Sequence, residues 1–367
     1  MKPVIAFILP GTSMRAFKRI DSFIKEGYNV KVFSFDRGEV FPVKKEGIDV
    51  HIIGSFSSDL PYNKRISLFI AGLRKAFKQF SPEQNVCWYY FGLPVCFFGF
   101  LLNRSRLFVY EESDMTHLNI KNKLTRYLAE CVDRFLIKRA TVSLLTSEGF
   151  VNYHFGGKNV DDNIVVIPNK LRKDVTTIED VLKTKRKNGS IRFGFVGFIR
   201  YASVYNISEV ISRVFPNHEV HFYGIIYETS MKRQFESLSK RDNVFFHGGF
   251  KNPDDLANIY ANIDVLICTY DNTSVNAQYA EPNKLYESIY FRTPIIVSKD
   301  TFLASQVEKL NCGYVTDAFD EQFIIKMVNN IQINLKEKQE AISCIPKEHA
   351  IDDATILFEK MNEKIGI

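Results

Sequence analysis

Short apolar runs alternate with amphipathic stretches along almost the whole chain, and this alternation restricts its possible folds more than any other feature. Val4–Leu9 predicts a strand, and Met14–Glu26 then sets Phe17, Ile20, Phe23 and Ile24 on one helical face. Gly27 ends that helix, strands follow at Val30–Phe35 and Val50–Ile53, and Ile66–Phe80 has helical spacing. Leu107–Tyr110, Val142–Leu145 and Ile164–Ile167 extend the series. Strands separated by helices call for a parallel sheet covered on both faces.

After Pro168-Asn169 the texture changes. Leu171–Ser190 is charged and polar, finishing Lys185-Arg186-Lys187-Asn188-Gly189-Ser190, a linker composition. The alternation then restarts with strands at Arg192–Val196, Val220–Tyr223, Val244–His247, Val265–Thr269 and Ile295–Ser298. Helices are expected at Pro253–Ala261, Asn283–Phe291 and Asp320–Asn334. The chain of 367 residues therefore predicts two doubly wound α/β domains, at 1–170 and 191–350, joined by a linker at 171–190. A C-terminal helix in 351–367 is expected to pack back on the first domain. Ligands of such sheets bind beyond the carboxyl ends of the strands, so a central cleft faced by both domains is the expected site.

Composition excludes several classes. With 46% hydrophobic and 25% charged residues the chain is ordinary globular material. The cysteines at 87, 96, 131, 268, 312 and 344 are far apart, which predicts isolated thiols rather than a disulfide framework or zinc site. The uncharged run Val86–Leu102 approaches the length of a membrane span, but Gly92-Leu93-Pro94 breaks it into a strand and a short buried helix. The apolar run Val4–Leu9 falls short of the roughly 7–15 residues of a secretory core, so a cytoplasmic location is expected. No G-x-G-x-x-G follows a strand, and Walker A, H-E-x-x-H and G-x-S-x-G patterns are missing. The seven histidines lack metal-ligand spacing, so no metal is expected.

The most informative segment is Glu281-Pro282-Asn283-Lys284-Leu285-Tyr286-Glu287, followed by Thr293-Pro294. Pro282 suits an early helical position, and Lys284 and Glu287 share a helix face. Amides at that helix start suit a diphosphate, Lys284 adds charge, and Glu287 can accept from two ribose hydroxyls. The plain alternative is an exposed ion pair.

The segment resembles the donor-binding helix of retaining GT-B glycosyltransferases, specifically family 4, in the subgroup with P-N-K-x-x-E. There a Glu six residues before Thr-Pro holds the nucleotide ribose, the place of Glu287. Gly194–Arg200 resembles the opening strand and loop of the second domain, and Val244–Phe250 with Leu256–Val265 resembles the base-recognition loop and helix. Thr146–Phe150 and Val166–Asn169 resemble markers of the end of the first domain. The fold implied is GT-B, two Rossmann-like domains.

The resemblance places Gly197, Arg200, Gly249, Phe250, Glu281, Asn283, Lys284 and Glu287 around the donor, with Gly11 in the first-domain loop near its phosphate. Two positions depart from the pattern: Tyr279 stands where relatives often have a first Glu, and Arg292 where they have Gly before Thr-Pro, narrowing or recharging the site. In the first domain, Glu111-Glu112-Ser113-Asp114-Met115-Thr116-His117 matches the loop where many relatives carry a His. Asp114 falls on a common Asp, and Glu112, Asp114 and His117 are the candidates to bond donor or acceptor hydroxyls. The alternative is an acidic loop with His117 beginning a helix.

Residues 1–170 hold 24 Lys and Arg against 16 Asp and Glu, whereas the remainder holds 24 against 26. The excess includes Lys64, Arg65, Arg74, Lys75 and Lys78 on a helix with Phe69, Ile70, Leu73 and Phe77, which suits either anionic lipid headgroups or an ordinary core helix. Nucleic acid is a poor partner for so modest a charge. The resemblance implies metal-independent, retaining transfer from a UDP- or GDP-linked sugar to a saccharide or lipid-linked saccharide, and the basic first domain suits a place in surface polysaccharide or capsule assembly, peripherally on the inner membrane face. A nucleotide-sugar epimerase and an inactive nucleotide-sugar-binding scaffold remain open.

Overall fold

The computed structural model describes residues 2–38, 46–57, 60–103, 107–157, 161–178, 183–184, 189–226, 229–271 and 274–366. These divide into two compact units, Met1–Pro168 with Asp353–Ile367, and Asn169–Asp352. The linker-like segments 179–182 and 185–188 lie outside the described residues.

Unit 1 runs β1 (Val4–Leu9), α1 (Met14–Lys25), β2 (Val30–Asp36), β3 (Val50–Ser55), α2 (Tyr62–Phe77), β4 (Val86–Phe91), α3 (Leu93–Asn103), β5 (Phe108–Glu112), α4 (Lys123–Arg139), β6 (Val142–Leu145), α5 (Glu148–Phe155) and β7 (Ile164–Val166). Its seven strands are parallel in the order β3-β2-β1-β4-β5-β6-β7. Side-chain oxygens start the helices where local sequence supplies them. Ser13 accepts from the Ala16 amide at 3.2 Å and Asn122 from the Thr125 amide at 2.9 Å, each meeting an otherwise unpaired donor. On α2, Phe69, Leu73 and Ala76 are buried, and the Phe69 ring meets Phe35 edge-on at 4.9 Å. Phe69, Leu73 and Ala76 of α2 thus join the core, while Ile70 and Phe77 are half-buried and the basic side faces water.

Unit 2 runs β8 (Arg192–Val196), α6 (Ala202–Val214), β9 (Glu219–Tyr223), α7 (Lys232–Leu238), β10 (Val244–Gly248), α8 (Leu256–Ala261), β11 (Val265–Cys268), α9 (Val275–Tyr279), α10 (Asn283–Tyr290), β12 (Ile295–Ser298), α11 (Phe302–Lys309), β13 (Gly313–Thr316) and α12 (Glu321–Ser343). Six parallel strands lie in the order β10-β9-β8-β11-β12-β13. Phe193, Phe195 and Phe222 sit in one buried cluster, and Val196, Leu266 and Cys268 in another. That division is the side-chain alternation of strands buried on both faces. Part of the charged stretch belongs to this unit: Leu171 and Val175 are buried in its core, and Lys183 Nζ donates to the Tyr260 and Ile263 carbonyls at 2.8 and 2.7 Å.

After unit 2 the chain returns to unit 1 as α13 (Thr355–Ile365). Leu357, Phe358 and Met361 join the core with Phe7, Phe23 and Tyr89, and Lys360 and Lys364 each reach Asp162 at 2.6 Å. Within the run weighed as a membrane span, Val86–Phe91 is a strand and Leu93–Asn103 a helix. Among the described residues no helix is long and apolar enough to cross a membrane.

Candidate functional site

Glycine ends three adjacent strands of unit 2: Gly197 follows β8, Gly224 follows β9, and Gly248 closes β10. The Gly197 amide donates to the Tyr223 carbonyl at 2.8 Å, and the Gly224 amide to that of Gly248 at 2.6 Å. Gly224 has φ +142°, and a Cβ there would collide with the Gly197 carbonyl oxygen. Small residues let the backbones approach closely at the strand ends, where a ligand of this fold sits. Gly224→Ala is expected to lose about 1–3 kcal/mol from backbone strain, read as a lowered urea midpoint with an unchanged denaturant slope.

Helix α10 brings the predicted donor residues together. Its first turn receives no side-chain cap from Pro282, so its positive end is available to an anion. By contrast, the Asp271 carboxylate accepts from the Ala202 and Ser203 amides at the start of α6, at 3.3 and 2.9 Å. Glu287 is fully buried. Its Oε2 accepts from the Tyr260 hydroxyl at 2.6 Å and from Lys284 Nζ at 2.7 Å, and its Oε1 from Asn283 Nδ2 at 2.7 Å. A carboxylate has about four acceptor sites, and three are filled. Burial and the Glu287 charge hold the Tyr260 hydroxyl well above its ordinary range, so it stays a donor. A Cβ on Gly197 would lie 3.8 Å from Lys284 Cε, which puts the ammonium stem beside the strand-end glycine.

The other predicted donor residues have different partners. Glu281 accepts from the Tyr286 hydroxyl. Arg200 is exposed, its guanidinium 5.3 Å from the centre of the Tyr201 ring. Gly249 and Phe250 border a pocket of about 660 Å³ with Tyr223, His247, Asp255 and Asn258, where His247 stacks on Tyr223 at 4.2 Å. Arg292 corrects the expectation of a narrowed or recharged site. Its backbone has φ +54°, the conformation that suits glycine, and its guanidinium donates to the Ile342 and Ile345 carbonyls at the end of α12.

In unit 1 the acidic segment is not a loop throughout. Strand β5 extends through Glu112, and Glu111 and Glu112 are both fully buried. Glu111 accepts from the Tyr89 hydroxyl and from Arg19 Nε, the latter at 3.4 Å. Glu112 meets His154 Nε2 at 2.9 Å, while Asp133 on the inner face of α4 accepts from the Tyr110 hydroxyl at 2.7 Å and lies 2.9 Å from His117 Nδ1. Burial, reinforced by the Asp133 charge, pushes the Glu112 carboxyl well above its ordinary range, and burial pulls His154 down. Both shifts favour the uncharged forms across the Glu112–His154 contact.

His117 lies in the short 3₁₀ turn Thr116–Asn119 and is 1% exposed. Glu112 and His117 are thus buried among protein partners, and Asp114 is the exposed member of the three candidates. Gly11 is half-buried after β1. Among the described residues, Glu112, Asp133 and His154 are the group whose metal-ligand atoms lie within 4.8 Å of one another. The carboxylates there are met by His154 Nε2, the Tyr110 hydroxyl and His117 Nδ1, while the second nitrogens, His154 Nδ1 and His117 Nε2, are buried without a hydrogen-bond partner. Sequence reading missed Asp133, Tyr260 and Gly224. The available signals were an acid on the apolar side of a helix for Asp133 and a glycine ending a strand for Gly224.

The family of glycosyl transferases group 1 matches residues 176–344. No curated protein sequence matches the chain. Solved structures do match over its whole length. Sucrose-phosphate synthase from Thermosynechococcus elongatus superposes with TM-score 0.71 at 14% identity, covering 100% of this chain and 98% of that one. Anabaena HepE in complex with UDP and glucose gives 0.68 at 12%, covering 98% and 99%. UDP-GlcNAc 2-epimerase from Neisseria meningitidis bound to UDP-GlcNAc gives 0.62 at 10%, covering 99% and 100%. With two parallel-sheet Rossmann-like units and a group 1 match in the second, the chain has the GT-B glycosyltransferase fold.

Proposed function

We propose that the protein is a retaining, metal-independent glycosyltransferase of family 4 type, moving a sugar from a UDP- or GDP-linked donor to a saccharide or lipid-linked saccharide acceptor in surface polysaccharide assembly. The observation that carries this reading is Glu287, buried on α10 with Lys284 and Asn283 as its donors beside the strand-end glycines. HepE was solved with UDP and with UDP-glucose, which supports a nucleotide-sugar donor, and WaaG is a glycosyltransferase involved in lipopolysaccharide biosynthesis, which supports this role.

Donor binding exchanges one contact for two. A ribose hydroxyl takes the place of Lys284 Nζ on Glu287, and the released ammonium turns to the diphosphate. Lys284, Arg200 and the uncapped amides of α10 then stabilise the charge that grows on the leaving phosphate as the glycosidic bond breaks. Asp114, exposed at the end of β5, bonds a sugar hydroxyl, while Glu112 and His117 hold that segment in place. The 2-epimerase neighbour favours a second reading, isomerisation of the donor without transfer.

A thermal-shift screen against uridine, guanosine, adenosine and cytidine diphosphates tests the donor class. One diphosphate at a hundredfold excess over its Kd is expected to stabilise the protein by about 2.7 kcal/mol. No shift with any of the four would sink the donor assignment. Release of nucleotide that requires an added saccharide supports transfer, and donor isomerisation without acceptor supports the epimerase.

A further inference from the structure

Helix α4 turns apolar side chains outward. Leu124, Tyr127, Leu128 and Phe135 are 69, 61, 56 and 52% exposed, and Cys131 is exposed with them. Positions 124, 128, 131 and 135 follow helical spacing and share one face, while Asp133, Leu136 and Ile137 are buried on the other. On α3, Leu101 is 51% exposed, and its neighbour Phe100 meets Phe135 edge-on at 5.8 Å. A contiguous outward apolar stripe on a helix needs a partner.

Charge identifies the kind of partner. Between residues 121 and 139 there are six basic residues, Lys121, Lys123, Arg126, Arg134, Lys138 and Arg139, against Glu130 and the buried Asp133. Arg134 is paired with Glu130 and Lys138 with Asp161, which leaves Lys121, Lys123, Arg126 and Arg139 to give this stretch its positive excess. Two copies meeting on this face would bring like-charged rims together. A bilayer with anionic headgroups instead accepts a convex apolar ridge and attracts its basic flanks.

We propose that α4 is a membrane-docking helix, laying Leu124, Tyr127, Leu128 and Phe135 into the headgroup boundary of an anionic bilayer with its lysines and arginines on the phosphates. This surface is separate from the basic helix α2, whose Phe69, Leu73 and Ala76 are core, and it does not depend on the donor assignment.

Co-sedimentation of the full chain with phosphatidylglycerol and with phosphatidylcholine vesicles tests it. Binding is expected to the anionic vesicles, falling at least about tenfold in the double variant Leu128→Glu/Phe135→Glu, as burial of apolar area and surface charge both contribute. Both side chains are exposed, so the thermal midpoint should be unchanged. Arg74→Gln/Lys78→Gln on α2 removes as much charge and should keep affinity within about twofold. The proposal is overturned by wild-type protein that ignores anionic vesicles, by undiminished binding of the α4 variant, or by an equal loss in the α2 variant. It is also overturned by a solution dimer that the α4 variant abolishes, which would make a second copy the occupant.

Discussion

Asp133→Ala is expected to lower the stability of unit 1 by about 3–5 kcal/mol, the range for removing one member of a buried charged network. The carboxylate accepts from Tyr110 at 2.7 Å and meets His117 at 2.9 Å, all three groups being buried. Without it the phenol and imidazole lose their acceptor, at about 1–3 kcal/mol for each orphaned group. Urea unfolding reads the loss directly, and Asp133→Asn, which keeps one acceptor oxygen, should recover part of it. A loss below 1 kcal/mol would mean the network is not what holds α4 to β5.

The same network gives stability a pH dependence with a definite sign. Glu112 holds its proton well above the ordinary 4.5, so above that pH the unfolded chain releases a proton that the folded chain keeps. Its contribution is full below 4.5 and falls as pH rises toward the raised folded value. Glu112→Gln removes that fall, so the variant should gain on wild type between pH 5 and 8. A constant difference across that window would show that Glu112 ionises in the fold.

The second large effect is on nucleotide binding. Glu287→Gln keeps the shape and removes the charge, and is expected to weaken nucleoside diphosphate binding about 10–100-fold, as hydrogen bonds to a charged group contribute about 1.5–3 kcal/mol. Glu287→Ala in addition leaves Tyr260, Asn283 and Lys284 without their acceptor and should destabilise unit 2. Lys284→Met separates the two halves of the exchange: diphosphate affinity should drop while nucleoside affinity holds or rises. Titration calorimetry with the nucleoside and its diphosphate distinguishes these outcomes. Unchanged diphosphate affinity in Glu287→Gln would remove Glu287 from the ribose.

Local pattern was enough for what is local. The unbroken apolar run Val4–Leu9 and the spacing of Phe17, Ile20 and Phe23 marked β1 and α1, and the spacing of three between Lys284 and Glu287 marked their contact on α10. What sequence hid was distance along the chain. Glu111 and Glu112 looked like a solvated loop because their partners, Tyr89, Arg19 and His154, are 22, 92 and 42 residues away. Tyr260 reaches Glu287 across 27 residues. The apolar face of α4 has a clear period, but a period does not say whether the face turns to the core or to water. On α2 it turns inward and on α4 outward. Arg292 is hidden for another reason: a left-handed backbone normally announces itself by glycine, and here the carbonyls at the end of α12 hold an arginine in that conformation.

The return of α13 to unit 1 has a consequence for how the protein is made. Ala354, Leu357, Phe358 and Met361 close a core begun by Ile5 and Phe7, so the half translated first stays unsealed while the ribosome synthesises the other half. Unit 2, continuous from Asn169 to Asp352, has all of its own core before α13 emerges. The usual vectorial order, first made and first folded, is therefore reversed at the last step. Phe358 packs on Phe23 and Tyr28 with ring centres 5.0 and 6.0 Å apart, so those rings lack that cover until α13 is made.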